Sequence, residues 1–238
     1  MVADVIQWGP ERARAAPWKG DPHVAQLNPL CAAALVTDPF VRRCLRVLAE
    51  RGYHRVLTPA LTPAEQRAFL AAGFRTERHL CLLSLDLRQA RAAGGAHPWI
   101  HVRNSRPADQ AAVLALDHAA FAPFWRLDPQ GVADAVAASP HCRFRVVGDP
   151  DAVVAYAISG RSGPQGYLHR LAVDPAHQRA GLGQALVADA LGWLRRWRAH
   201  RVTVNTQPEN TAALALYQQF GFTIQPAGLA VLAIDLAR

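Results

Sequence analysis

In the second half of the chain, short alternating runs and longer runs of helical period follow one another closely. Trp99 to Arg103 is a first strand. Pro107 to Phe121 is a helix with Ala112, Leu114, Ala115 and Ala119 among its apolar positions, and Trp125 to Ala138 is a second helical segment entered through Pro123-Phe124. His141 to Val147 and Asp151 to Gly160 alternate as strands around the turn Gly148-Asp149-Pro150, and Tyr167 to Val173 is a fourth strand. From Gly183 to Arg198 there is no Pro, and Gly192 is the one Gly after the start, while Leu186, Ala190, Leu194 and Trp197 fall at helical spacing. Arg201 to Thr206 alternates again. Asn210 to Phe222 is a helix with Asn210 as N-cap and Gly221 as its stop. Interleaving of this kind predicts an α/β protein with a mixed sheet and helices on both faces, not an all-α or all-β plan.

The first half echoes the second in the same order. Leu35-Val36-Thr37-Asp38-Pro39 matches Leu171-Ala172-Val173-Asp174-Pro175, Cys44 to Leu48 matches Leu191 to Leu194, and His54 to Thr58 matches His200 to Thr203. Phe69 to Phe74 matches Leu216 to Phe222, and Leu83 to Leu87 matches Ala233 to Leu236. This is the pattern of a tandem repeat. Between Asp38-Pro39 and His54 lie 14 residues, against 24 between Asp174-Pro175 and His200. The missing residues correspond to a glycine loop and the first helical turns after it. The Ala/Gly-rich stretch Ala92-Ala93-Gly94-Gly95-Ala96 makes residues 91–98 the natural linker between a first domain, 1–90, and a second, 99–238.

That glycine loop carries the chemistry. The run Leu171 to Gly183 passes from an apolar strand through Asp174-Pro175 into a loop that opens a helix, and Gln178, Arg179, Ala180, Gly181, Leu182, Gly183 and Gln184 straddle the helix start. Backbone N–H groups without intrahelical partners and the positive end of the helix dipole make such a place a cradle for phosphate. A Lys followed by Ser or Thr, which a nucleotide-triphosphate loop needs, is absent, and so is the third glycine of a dinucleotide fingerprint.

Gln178-x-x-Gly181-x-Gly183 after Leu-Ala-Val-Asp-Pro resembles the acyl-CoA loop of the GNAT superfamily of N-acyltransferases. The second block, Asn210-x-x-Ala213-x-x-Leu216-Tyr217-x-x-x-Gly221-Phe222, is similar to that family's next strand and helix, and stands in the right order and spacing. The resemblance spans about Trp99 to Arg238. It implies a GNAT-fold second domain, a shortened GNAT-like first domain without a cradle, and acetyl-CoA as co-substrate. The reaction implied is direct transfer of an acetyl group to a primary amine in a ternary complex. Leu171, Ala172 and Val173 would pair with the pantetheine arm, the Val173 N–H would polarise the thioester carbonyl, and Asn205, Asn210 and Ala213 would line the cofactor. Tyr217 would protonate the departing thiolate. Tyr167 stands where several members of the family carry a glutamate base, which removes that carboxylate here. His169, taken to share a strand face with Tyr167 and Leu171, is the remaining base, with an ordinary pKa of ~6.5; a water path is its competitor. Trp125, Arg126 and Asp128 fall where acceptor-shaping helices lie.

Composition changes this picture little. The formal charge of +8 is spread, thirteen Lys/Arg against eight Asp/Glu up to residue 96 and thirteen against ten beyond it. The densest group, Arg195, Arg196, Arg198 and Arg201, closes the long helix, where cations suit the dipole, so no nucleic-acid partner is expected. Cys31, Cys44, Cys81 and Cys142 lack metal or redox spacing and are expected reduced and mostly buried. No apolar run reaches the ~18 residues of a membrane span, and the first residues lack a signal-peptide core, so a cytoplasmic location is expected. Partners are then an amine acceptor, either a protein N-terminus, a lysine or a small molecule, and in one arrangement a second copy in a homodimer. A catalytically silent acyl-CoA-binding regulator or interaction protein is the alternative.

Overall fold

The computed structural model describes residues 4–31, 35–89 and 99–236; the expected linker lies outside them. The chain forms two compact units, residues 1–82 with 225–238, and residues 83–224. They divide the sequence elsewhere than the boundary read at 91–98. The last strand, Leu229–Asp235, hydrogen-bonds to Arg55–Leu57 on one side and to residues 75–80 on the other, so the C-terminal residues belong to the first unit.

In the first unit, β1 (Asp4–Trp8), β2 (Glu11–Trp18) and β3 (Asp21–Pro29) make an antiparallel meander. Its tight turns use Gly9 and Gly20 at φ +59° and +78°, a backbone region open to glycine. After it come α1 (Asp38–Glu50), β4 (Arg55–Leu57), α2 (Pro63–Ala71) and β5 (Arg75–Asp86), whose last four residues pass into the second unit. The sheet order is β1, β2, β3, β4, the C-terminal strand, β5. Its core joins Ala13, Ala15, Ala25 and Leu27 to Phe40, Leu48, Val56, Phe69, Phe74 and Leu232. Leu35 to Thr37, the counterpart of Leu171 to Val173 in the echo, is not a strand. Thr37 is the N-cap of α1, and its N–H and hydroxyl both donate to the Glu11 carboxylate, at 2.8 and 2.9 Å. The N-terminus of α1 is thus approached by two carboxylates, those of Glu11 and Asp38.

In the second unit, β6 (Val102–Asn104), α3 (Gln110–Ala120), α4 (Pro129–Ala137), β7 (His141–Asp149), β8 (Ala152–Ser162), β9 (Gln165–Val173), α5 (Leu182–Arg196), β10 (Arg201–Thr206), α6 (Thr211–Gln219) and β11 (Thr223–Ile224) follow the expected order; the strand Leu229–Asp235 is β12. The sheet runs from the end of β5 through β10, β9, β8 and β7 to β6. One face packs on α3 and α4, through Val113, Leu116, Val132, Tyr156, Ile158 and Ala172. The other packs on α5, through Ala155, Ala157, Leu171, Val173, Leu182 and Leu186. The buried residues of α3 are Val113, Leu116 and Asp117, with Ala112, Leu114 and Ala120 packed beside them, and Tyr156 and an arginine of β9 hold Asp117 inward. Of the four free cysteines only Cys44 is buried, and burial pushes its thiol up to about 12; Cys31, Cys81 and Cys142, at or beside strands, are half-buried. Among the described residues no helix is long and apolar enough to cross a membrane.

Candidate active site

The site starts from a parting of strands. β10 runs parallel to β9 only over Arg201 to Val204, opposite Gln165 to Leu168. β9 continues to Val173, paired with β8 alone among the described residues. Asp174 N–H donates to Val154 O at 2.9 Å, which fixes the antiparallel alternation. The pairs Tyr156/Ala172 and Ile158/Arg170 exchange hydrogen bonds, while Leu171 and Val173 turn their N–H and C=O away from β8, into the gap.

The loop beyond closes the end of that gap. Asp174 accepts the Ala176 N–H at 2.9 Å, shaping the turn Pro175–His177. Gln178, Arg179 and Ala180 are exposed, and Arg179 and Gly181 sit at φ +63° and +83°. Gly181 is the N-cap of α5, and the Ala185 N–H donates to Gly181 O at 2.9 Å. The N–H groups of Leu182, Gly183 and Gln184 precede it and point out of the helix start. A Cβ at Gly183 would stand 3.0 Å from Leu216 Cδ2, so the absence of a side chain there lets α6 pack closely on the start of α5. Gln184 also bonds Gln219 of α6, at 3.0 Å. Leu182 is buried in the α5 core.

Those contacts set α6, which carries Tyr217, against the start of α5. Tyr217 is buried, 5.7 Å from the Phe222 ring, and burial pushes its hydroxyl up to about 12, with the Arg170 guanidinium acting the other way. Asn210 caps α6 by accepting the Ala213 N–H at 3.1 Å, and Asn205 is exposed near the end of β10.

His169 departs from the expected geometry. Ile158 pairs with Arg170 and Ser159 with Leu168, so His169 is the extra residue of a β-bulge. The bulge shifts the alternation. Tyr167 and His169 stack at 5.4 Å on the face of α3 and α4, whereas Leu171 turns to α5; the single face assumed for all three is not formed. His169 Nε2 and the Ser139 hydroxyl share a 2.8 Å hydrogen bond above Gly160, and burial lowers the imidazole pKa.

Comparison with known proteins gives the site its family. Residues 111–222 match the model of the acetyltransferase (GNAT) family. Residues 111–222 belong to the GNAT family. It is similar to a mycothiol acetyltransferase of Mycolicibacterium paratuberculosis, 30% identical over 71% of this chain and 59% of that protein, and to the N-alpha-acetyltransferase RimI of Mycobacterium tuberculosis, 38% identical over 36% of this chain and 54% of that one. It thus spans about three-fifths of the length of the mycothiol acetyltransferases it matches over both units. Its fold is that of a solved tandem GNAT protein of the clavulanic acid pathway, TM-score 0.73 at 12% identity, covering 98% of this chain and 82% of that one.

Beside the GNAT signature lies a buried polar group that the sequence did not disclose. Asp117, with no exposed side-chain surface, accepts from the Tyr156 hydroxyl, from Arg170 Nε at 2.8 Å and from the Leu127 N–H at 2.7 Å. Arg170 also donates to Trp125 O at 2.7 Å and lies 3.6 Å from the Phe121 ring centre. Arg126 Nε bonds Phe121 O at 3.0 Å, and the Asp128 carboxylate caps α4 through the Gly131 N–H at 2.6 Å. The segment from Phe121 to Asp128 is thereby pinned to β9. A charged residue inside the alternation of β9, and an Asp on an otherwise apolar helix, were the available signals.

Proposed function

We propose that this GNAT chain transfers the acetyl group of acetyl-CoA to a primary amine by direct attack in a ternary complex. The observation that carries the reading is the parting of β9 from β10 directly above a glycine-opened helix start, against which α6, the helix of the buried Tyr217, packs. The residues suit the co-substrate: the N–H groups from Leu182 to Gln184 would take its pyrophosphate, and the outward backbone of Leu171 and Val173 its amide-bearing arm. Bound there, acetyl-CoA supplies an activated acyl group. The Val173 N–H polarises the acyl carbonyl where negative charge develops. Tyr217, kept protonated by burial, donates to the leaving sulfur. His169, kept neutral by burial and oriented by Ser139 and Tyr167, takes the proton of the attacking amine. The segment pinned by Arg170 borders the acceptor. A small-molecule amine is the favoured acceptor class, because the similarity to mycothiol acetyltransferase extends over 71% of this chain and that to RimI over 36%.

Calorimetric titration with acetyl-CoA, beside Gly183→Glu with an unchanged melting profile, tests the first step. Saturable binding lost in the variant, followed by thiol release with a panel of small amines, supports the proposal. Binding without turnover on small amines, N-terminal peptides or lysine peptides would leave a silent acyl-CoA-binding protein instead.

A further inference from the structure

The basic end of α5, which the transfer reaction does not use, carries a second feature. Asp189 and Trp193 of α5 and Trp197, its C-cap, recur every fourth residue, and His141, Arg143 and Arg145 alternate along β7 toward the same side. At one end of these rows lies a cavity of about 380 Å³, lined by Pro140, His141, Cys142, Arg161, Trp193 and Trp197. The Arg161 guanidinium carbon sits 5.4 Å from the Trp197 ring centre, and that ring is 58% exposed. Arg161 Nη1 donates to Gly163 O at 3.1 Å, while its Nε is buried without a hydrogen-bond partner among the described residues, and so is Arg143 Nε.

Charge next along the two rows is unbalanced among the described residues. One carboxylate, Asp189, serves both Arg143, at 2.8 Å, and Arg145, at 3.3 Å. Burial lowers the Arg143 pKa despite Asp189, and Arg145 and Arg196 add to the lowering, which marks crowded positive charge. Ten helical residues separate Gly183 from Trp193, roughly 15 Å along α5, so this place is apart from the phosphate cradle. Two indoles offer flat apolar faces, Arg161 offers donors to an oxyanion, and the volume is that of a small-molecule site.

We propose that this cavity binds a small planar aromatic anion, its ring against Trp193 and Trp197 and its carboxylate on Arg161. The test is calorimetry and ligand-observed NMR with 2-naphthoate as probe and 2-naphthalenemethanol as its uncharged counterpart, on the wild type, Arg161→Gln and Trp197→Ala, with thermal melts confirming the fold. Millimolar or tighter naphthoate binding, weakened about tenfold or more in each variant and for the alcohol, is expected. The proposal is overturned by absence of saturable naphthoate binding up to about 10 mM, or by affinity unchanged in both variants. Binding of a single-stranded oligonucleotide in place of the naphthoate overturns it too. Acetyl-CoA binding is measured separately, so failure of either site is recognised independently.

Discussion

Asp117 offers the sharpest energetic test, because a fully buried carboxylate holds three different groups at once. In Asp117→Ala the Arg170 guanidinium, 13% exposed, keeps its charge and loses its counterion, and the Tyr156 hydroxyl and Leu127 N–H lose their acceptor. Breaking a buried pair from one side costs about 3–5 kcal/mol, and orphaned donors about 1–3 kcal/mol each, without adding fully. A destabilisation of about 4 kcal/mol is expected, equivalent to a fall in Tm of roughly 8–16 °C for a chain of this size. Urea unfolding followed by circular dichroism measures it. The double variant Asp117→Leu with Arg170→Met removes both charges in favour of apolar volume and should recover most of the loss. A single variant within about 1 kcal/mol of wild type, or a double variant no better than Asp117→Leu alone, would refute the argument that desolvated charge dominates here.

Tyr217→Phe should lower kcat by about 10²–10⁴-fold while leaving the acetyl-CoA Kd nearly unchanged, and unchanged turnover would remove the tyrosine from the proton path. Because burial holds His169 below its ordinary ~6.5, the neutral imidazole persists to lower pH, so the acid limb of kcat/KM should lie below that value and vanish in His169→Gln. Gly160→Ala puts a methyl 2.3 Å from both His169 Nε2 and Ser139 Oγ; it should reproduce the loss of activity, and a fully active variant would deny the pair any role. Asp109, fully buried, is held below the ordinary carboxylate range first by hydrogen bonds from Arg103, against the opposing effect of burial. Its contribution to stability is complete above pH ~4 and is lost as pH falls through the lowered folded value. The urea midpoint should therefore drop on acidification, with a shallower slope in Asp109→Asn.

What could be read from the sequence was local. The start of α5, the Asn210 cap and the order of strands and helices in the second unit depend on neighbours a few residues apart. The meander β1 to β3 escaped because the inward face of its central strand is Glu11, Ala13 and Ala15, too weakly apolar for alternation to stand out. The bulge at His169 exists only through pairing with β8, so β9 alone suggested one face for Tyr167, His169 and Leu171 where Leu171 turns to the other. Arg170, Asp117 and Ser139 are polar residues whose partners lie 53, 39 and 30 positions away, and satisfaction at that range leaves no periodic mark.

The placement of β12 sets a timetable for synthesis. Residues 229–235 fill the position between β4 and β5, yet the ribosome adds them about 150 residues after the rest of that sheet, a wait of roughly 7–30 s at ~5–20 residues per second. During that wait two strand edges stand open, the condition in which nascent chains stick to one another. A chain cut after Ile224 would keep every residue of the phosphate cradle and still lack the strand that joins β4 to β5. Its first unit should be the part that chaperones hold and proteases find.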